Sequence, residues 1–197
     1  MKAWRAGIIV ALTIASSACS RATRSSAARV APLRMVCAPS GMAYVSTAGD
    51  ASGLKGDLRF GGPLGRSAVY LKFSAEWRAR GIPEQAFLTL FARESSASTD
   101  APVTLEVWRI NADWQPRTLR HWSAKPSLAP PYARTRVTAS PAQDVRIDVT
   151  ELVRFAAQNP ERDFGIGVIS SGGEGPGVSF SSGLAGGLAP RLELYSR

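Results

Sequence analysis

Residues 66–73 place an apolar side chain at every second position, and this alternation constrains the fold more than any other feature. The apolar positions are Val69, Leu71 and Phe73, and the positions between them are Tyr70 and Lys72. A period of two predicts a half-buried β-strand whose odd positions face a core. The segment before it, 61–65, is rich in glycine and proline. This composition predicts a turn that leads into the strand.

The same pattern of short alternating segments and turns continues to the C-terminus. The predicted strands are 42–47, 58–60, 68–73, 86–91, 103–110, 134–138, 144–149, 164–169, 178–180 and 191–195. One short helix is predicted at 150–158, with Asp148 or Thr150 as its cap and Pro160 shortly after its end. Strands at this spacing favour a single antiparallel β-sandwich of jelly-roll type, and so an all-β fold class.

The N-terminal residues are predicted to be a separate export signal. Residues 6–18 are apolar and uncharged, too short to span a bilayer and typical of a secretory signal peptide at 1–18. Small residues stand directly before Cys19 and resemble the bacterial lipobox, although Ser16 replaces the usual aliphatic residue. We therefore expect Cys19 to be lipidated and to anchor an exported cell-envelope protein to a membrane. Ordinary cleavage is the alternative, and Cys19 and Cys37 could then form a disulfide in an oxidising compartment.

The basic character of the chain lies mostly outside the predicted sandwich. The net charge is +9, but the sandwich range 39–197 carries only +3. The range 19–38 holds four arginines and no acidic residue, so we expect it to be a flexible basic tether. This distribution does not indicate a nucleic-acid partner. The remaining range 39–197 has the size of one domain.

The order of the segments is similar to that of a known family. The matching segments are 58–61, 66–73, 82–83, 86–90, 103–110, 113–114, 118–126, 147–154, 164–168, 180–182 and 190–194. Together they resemble the DNRLRE domain, the disaggregatase-related family that is also classed as carbohydrate-binding module family 96. Two departures stand out: Ser123 and Ala124 replace two asparagines of the family, and 55–59 lacks its acidic-Asn opening.

The resemblance implies a secreted or surface β-sandwich module, with an extracellular or cell-wall polysaccharide as its partner and without catalysis. A structural or protein-interaction module of the cell surface is the alternative, because the edge strands of an open sandwich can accept a partner strand. A third reading is an enzyme acting on uronic-acid polymers, which would use His121 or Tyr132.

Catalytic and metal-binding patterns find little support. His121 is the only histidine, so a nucleophile–histidine–acid triad would depend on it alone. Asp144 and Asp148 lie on one predicted strand, roughly 13 Å apart by strand rise, which is too far for a glycosidase pair. No pair of cysteines or histidines has zinc spacing, so we expect no cofactor.

A calcium site could use carboxylate oxygens from residues in predicted loops. Its candidate ligands would be Asp57, Asp113 and Glu174. No ordered acidic loop motif links these residues, and a calcium site therefore stays without support from the sequence.

Aromatic side chains supply the one positive binding signal. Sugars present apolar C–H faces that stack on flat rings, so carbohydrate-binding surfaces display Trp and Tyr. The candidate ligand-binding residues are Trp77, Trp108, Trp122, Tyr70 and Tyr132. Trp108 lies opposite the core face of 103–110, whereas Trp114 and Trp122 are expected to pack over the end of the sandwich.

Overall fold

A computed structural model of the chain describes residues 32–48, 57–62, 65–93, 102–138, 143–170, 177–184 and 188–196. Its strands are β1 Leu33–Cys37, β2 Pro39–Ser46, β3 Asp57–Phe60, β4 Ser67–Phe73, β5 Gln85–Leu90, β6 Pro102–Ile110, β7 Leu128–Thr138, β8 Val145–Asp148, β9 Ile166–Ser170, β10 Val178–Ser181 and β11 Arg191–Ser196. One α-helix, α1, spans Thr150–Gln158, and short 3-10 helices span Ala75–Arg80, Trp122–Ala124 and Pro160–Arg162.

The strands build two main antiparallel sheets. The four-stranded sheet has the order β1-β11-β5-β8, and the five-stranded sheet has the order β2-β4-β9-β6-β7. Strands β3 and β10 form a separate antiparallel pair. The fold class is therefore an all-β sandwich of antiparallel sheets with one short helix, as the alternation predicts.

The main core lies between the inner faces of the two sheets. Val69 and Leu71 of β4 are fully buried, and Phe73 packs at the margin of the same cluster. On β6 the positions 103, 105 and 107 are buried, whereas the positions between them are half-buried. The predicted core positions of both strands are confirmed, because strict alternation leaves one face of each strand for the core.

A second cluster covers part of the outer face of the five-stranded sheet. Residues 111–127, here called the covering segment, contribute Trp114 and Leu119. These two side chains pack on residues of the sheet: Ala43, Val45, Ala68, Tyr70 and Ile110. The covering segment therefore makes this part of the sheet a second small core rather than a solvent-facing surface.

Lys72 fastens the covering segment to β4. Its Nζ donates to Asp113 Oδ1 at 2.8 Å and to the carbonyl oxygen of Trp114 at 2.6 Å. The hydrogen bond from Lys72, followed by one from the backbone N–H of Trp114, lowers the pKa of Asp113 below its usual value. The indole Nε1 of Trp114 donates to the carbonyl oxygen of Phe164 at 2.8 Å.

Strand β1 corrects the expected boundary of the tether. The sequence predicts a flexible tether over 19–38, but Leu33–Cys37 pairs with β11 along its whole length. Alternation shows why: Met35 and Cys37 pack against the main core, whereas Arg34 and Val36 lie on the outer face. The arginines made this segment look like tether, although its apolar positions fit a strand.

The helix begins and ends where the sequence predicts. Val149 takes the N-cap position, and the Asp148 carboxylate accepts bonds from the Thr150 N–H and hydroxyl at 2.9 and 2.6 Å. Leu152 and Val153 bury the inner face of α1 against the main core. Within the described residues, no helix has both the length and the apolar character needed to cross a membrane.

Candidate functional site

Trp108 and Tyr132 form a stacked aromatic pair on the outer face of the five-stranded sheet. Their ring centroids lie 4.2 Å apart with an interplanar angle of 15°. Trp108 is half-buried, whereas 48% of the Tyr132 surface is exposed. The covering segment leaves this end of the sheet open, so the tyrosine ring is available to solvent.

Strand register brings the two rings together. Trp108 of β6 lies directly opposite Tyr132 of β7, and Glu106 lies opposite Arg134. Residues two apart on a strand share a face, so all four side chains project from the same surface. We call these four residues the aromatic patch.

Polar contacts hold the aromatic patch in place. The Trp108 indole Nε1 donates to Glu106 Oε2 at 3.0 Å, and the Arg134 guanidinium donates to Glu106 Oε1 at 2.5 Å. The same guanidinium lies 6.0 Å from the centroid of the Tyr132 ring. One carboxylate therefore fixes both a ring and a cation, which preorganises the platform for a ligand.

Tyr132 also lines a surface groove of about 450 Å³. The groove runs between β7, the start of β5 and the N-terminal turn of α1, which packs against β7. Its lining residues are Glu84, Gln85, Tyr132, Ala133, Asp148, Thr150, Glu151, Leu152 and Arg154. A cleft of this size with an aromatic wall and several polar groups has the form of a small-ligand site.

Arg154 organises the far wall of the groove. Its guanidinium donates to the carbonyl oxygen of Pro83 at 3.3 Å and to that of Glu84 at 2.7 Å, and it forms an ion pair with Glu151 at 3.0 Å. These bonds tie α1 to the loop before β5. The groove therefore lies on rigid elements, while the Gln85 amide stays exposed for contact with a ligand.

Two of the predicted ligand-binding residues are buried, which corrects the expectation for them. Trp77 is 3% exposed, because the 3-10 helix Ala75–Arg80 turns its ring into the main core. Tyr70 is 0% exposed beneath the covering segment, with its ring 5.9 Å from that of Trp114. Burial also raises the pKa of Tyr70, since ionisation would place a charge in apolar surroundings.

The other predicted aromatic residues lie in three different settings. Trp108 and Tyr132 meet in the aromatic patch. Trp122 is half-buried beside the second cluster, with Lys125 Nζ 4.8 Å from its ring centroid. Trp114 was expected at the end of the sandwich but packs on the sheet face instead.

Cys19 lies outside the described residues, so its predicted lipidation stays a prediction.

The candidate acidic and histidine residues do not converge on a reactive site. His121 is exposed at the start of a 3-10 helix. Asp144 accepts a bond from the backbone N–H of Ala92 at 3.0 Å, and Asp148 is engaged with Thr150. In the part of the chain that the structure describes, no group of three or more His, Cys, Asp or Glu side chains could hold a metal ion.

The three candidate calcium ligands are also dispersed. Asp57 pairs with Arg93 at 2.7 Å, and Asp113 pairs with Lys72. Glu174 lies outside the described residues. The two described carboxylates are thus neutralised by basic side chains of the protein itself.

The groove residues were not singled out from the sequence. Gln85 and Arg154 are far apart in the chain, and each is unremarkable among polar surface positions. The groove exists because α1 packs against β7, a long-range contact that alternation within a strand does not report. The nearest signal was the helix prediction itself, which places Glu151 and Arg154 on successive turns.

The fold and the patch together define a class: a β-sandwich module that displays an aromatic platform beside a polar groove. The profile of carbohydrate-binding module family 96 matches residues 43–196 of the chain, more than three-quarters of its length. The chain belongs to this family. None of the curated proteins with which it was compared matches it.

Proposed function

We propose that the protein binds a polysaccharide without turning it over, and that the aromatic patch and the adjoining groove are the binding site. The observation that carries the proposal is the exposed Tyr132 ring, stacked on Trp108 at the mouth of the groove. Family membership supplies the ligand class, carbohydrate. A sugar ring would stack its C–H face on Tyr132, and Trp108 would support the tyrosine from behind.

The groove supplies partners for the hydroxyl groups of the next sugar units. The Gln85 amide can both donate and accept, and the exposed carboxylates of Glu84 and Glu151 accept. Three carboxylates line the groove against the single guanidinium of Arg154. Because repulsion between like charges opposes acidic polymers there, we expect neutral glycans to bind this site more strongly than polyuronates at low salt.

Affinity electrophoresis of the full chain through gels that contain neutral or acidic polysaccharides tests the site. The chain would carry Cys19→Ser, so that no lipid anchor forms. We expect Tyr132→Ala and Trp108→Ala each to weaken retention about tenfold, because each removes a face of the stacked platform. Tyr132→Phe should bind nearly as well as the parent, because the ring is kept.

The matched control is Trp122→Ala, which removes a half-buried indole outside the patch. Retention of this variant should stay within about twofold of the parent. If Trp122→Ala abolishes binding while Tyr132→Ala does not, the site lies beside the covering segment instead. If no gel retards the parent chain, and a pull-down with the same chain recovers a specific protein partner, the domain is an interaction module and the proposal fails.

The cell-envelope address is part of the same proposal. Its support is the sequence of 1–19, in which an apolar segment ends at small residues before Cys19. Labelling bacteria that express the full chain with a radioactive fatty acid should mark the protein, and Cys19→Ser should lose the label. A labelled Cys19→Ser variant, or an unlabelled parent in the membrane fraction, would contradict lipidation at this residue.

A further inference from the structure

The outer face of the four-stranded sheet gathers three arginines around one buried carboxylate. Arg34 of β1, Arg146 of β8 and Arg191 of β11 lie 3.3, 3.6 and 2.9 Å from the oxygens of Glu193. The side chain of Glu193 is only 5% exposed. We call the four residues the arginine cluster.

Two hydroxyl groups complete the coordination of the carboxylate. Tyr195 donates to Glu193 Oε2 at 3.0 Å, and Thr89 donates to Glu193 Oε1 at 3.2 Å. Burial alone would raise the pKa of Glu193, but the hydrogen bonds from Tyr195, Arg191 and Arg34 hold it below the usual value. The carboxylate is thus ionised at neutral pH and already saturated with donors.

The guanidinium groups keep donors to spare. Each guanidinium has five N–H groups, whereas one carboxylate offers only about four acceptor sites. The Glu193 carboxylate therefore cannot accept hydrogen bonds from all the N–H groups of three arginines. The side chains of Arg34, Arg146 and Arg191 remain 48%, 45% and 33% exposed. The arginine cluster therefore presents two uncompensated positive charges to solvent.

Aromatic rings hold these cations on the sheet. Arg146 lies 3.5 Å from the centroid of Phe87 and 5.4 Å from that of Tyr195, and Arg191 lies 4.6 Å from that of Phe91. Stacking of this kind orients a guanidinium before a ligand arrives. The carboxylate of Asp148, which pairs with Phe87 across the sheet, is bonded to Thr150.

One exposed apolar side chain on β1 borders the arginine cluster. Val36 lies on the same face as Arg34, opposite Glu193, and is 47% exposed. Basic side chains beside exposed aliphatic ones are the combination that binds the headgroup region of an anionic bilayer.

We propose that the outer face of the four-stranded sheet is a docking surface for the phosphate headgroups of an anionic lipid bilayer, with the arginine cluster as its charged centre and Val36 as its apolar margin. Charge complementarity is the reason for choosing a phosphate-bearing surface. Two parallel N–H groups of one arginine can donate to the same phosphate. The arginine cluster shares no residue with the aromatic patch or with the lining of the groove, so the docking can be tested without changing the glycan site.

The docking face lies close in sequence to the predicted lipid anchor, which also favours a bilayer as its partner. Leu33 lies 14 residues after Cys19, a distance that an extended chain spans over at most roughly 50 Å. A lipid on Cys19 would therefore keep β1 within reach of the bilayer. The outer faces of a two-sheet sandwich point in opposite directions, so docking through the four-stranded sheet would turn the aromatic patch away from the membrane.

Flotation with lipid vesicles tests the docking surface. The full chain carrying Cys19→Ser is mixed with vesicles of phosphatidylcholine alone or with about 30% phosphatidylglycerol, whose negative surface potential attracts basic residues. We expect binding to the anionic vesicles, and about a 25-fold weaker binding for Arg34→Gln/Arg146→Gln, from about fivefold per arginine. The Lys/Lys variant at the same two positions should bind within about threefold of the parent.

A charge-matched control separates this face from general basicity. Arg66→Gln/Arg117→Gln removes the same charge from exposed positions elsewhere, and we expect its binding to stay within about threefold of the parent. Thermal unfolding shows whether each variant is folded; Glu193 keeps Arg191, Tyr195 and Thr89 in the test variant.

Four results would overturn the proposal. The first is equal binding by the test and control variants, and the second is equal binding to neutral and anionic vesicles. The third is displacement from the vesicles by inorganic phosphate at matched ionic strength, which would define a discrete site for a free anion. Retention by a polyuronate gel that depends on Arg34 and Arg146, without vesicle binding, would assign the face to an acidic glycan instead. None of these outcomes bears on Tyr132, so failure here is distinguishable from failure of the glycan site.

Discussion

Replacing Gly165 by alanine should destabilise the domain by about 4 kcal/mol or more, one of the largest effects expected from a single methyl group in this chain. Gly165 has φ +95°, where an L side chain is strained, and a Cβ there would lie 2.2 Å from the carbonyl oxygen of Leu71. That oxygen belongs to the backbone of β4, so the sheet itself would have to move. Chemical denaturation of the full chain, followed by tryptophan fluorescence, measures the loss.

Gly81 provides the matched control for the backbone strain. It also has a positive φ, +86°, but a Cβ there would meet nothing within 4 Å. Gly81→Ala should therefore cost only the conformational strain, about 1–3 kcal/mol. If the two alanine variants lose equal stability, the collision with β4 does not contribute, and the close approach of Gly165 to Leu71 is not a constraint on the fold.

The parts of the structure that a local pattern encodes were predictable. On β6, strict alternation assigned Val107 to the core and Trp108 to the outer face, and both assignments agree with the burial pattern. Helix α1 was predicted with its observed bounds from the capping residues near 148–150 and the stop at Pro160, although the N-cap is Val149 rather than the expected Asp148 or Thr150. Each of these signals acts over a few residues, where propensity and pattern coincide.

Two of the errors concern aromatic side chains that the tertiary fold buries. Tyr70 was correctly placed on the outer face of β4, but the sequence did not show that Trp114 and Leu119 would cover that face. Trp77 was expected to be a ligand-binding ring, yet a 3-10 helix, which has no strong periodic signature, turns the ring inward. In both cases the face was set by packing that lies outside the local pattern.

The candidate site shows the same division. Alternation places Trp108 and Tyr132 each on one side of a strand, but only the register of β6 against β7 makes them opposite neighbours. The Glu106–Arg134 pair then follows from the same register. Pairing of two strands that are 18 residues or more apart in the chain is a tertiary choice, and a single sequence does not specify it.

Trp114→Ala is the second substitution with a large expected effect, about 3–5 kcal/mol of unfolding free energy. The indole is 6% exposed, packs on Tyr70 and donates to the carbonyl oxygen of Phe164. Its removal leaves a cavity over Tyr70 and an unpaired carbonyl, and it deprives Lys72 of the ring that lies 5.2 Å from its Nζ. Denaturant unfolding of the full chain measures the change.

Two companion variants separate the contributions of the indole. Trp114→Phe keeps an aromatic ring but loses the hydrogen bond to Phe164, and it should cost about 1–3 kcal/mol, less than alanine does. Trp122→Ala removes a tryptophan of the same covering segment that is only half-buried, so its cost should be smaller than that of Trp114→Ala. Equal losses for the two alanine variants would mean that Trp114 does not hold the segment on the sheet.

Glycan binding provides a second readout for the same variant. The aromatic patch lies on the uncovered end of the outer face, and Gly167 separates Trp108 from Tyr70 across the sheet. If Trp114 acts only by covering Tyr70, the folded fraction of Trp114→Ala should bind polysaccharide within about twofold of the parent, at temperatures below its unfolding transition. A tenfold loss in the folded variant would show that the covering segment also shapes the binding surface, and the boundary of the site would then extend from Tyr132 across Gly167 to Trp114.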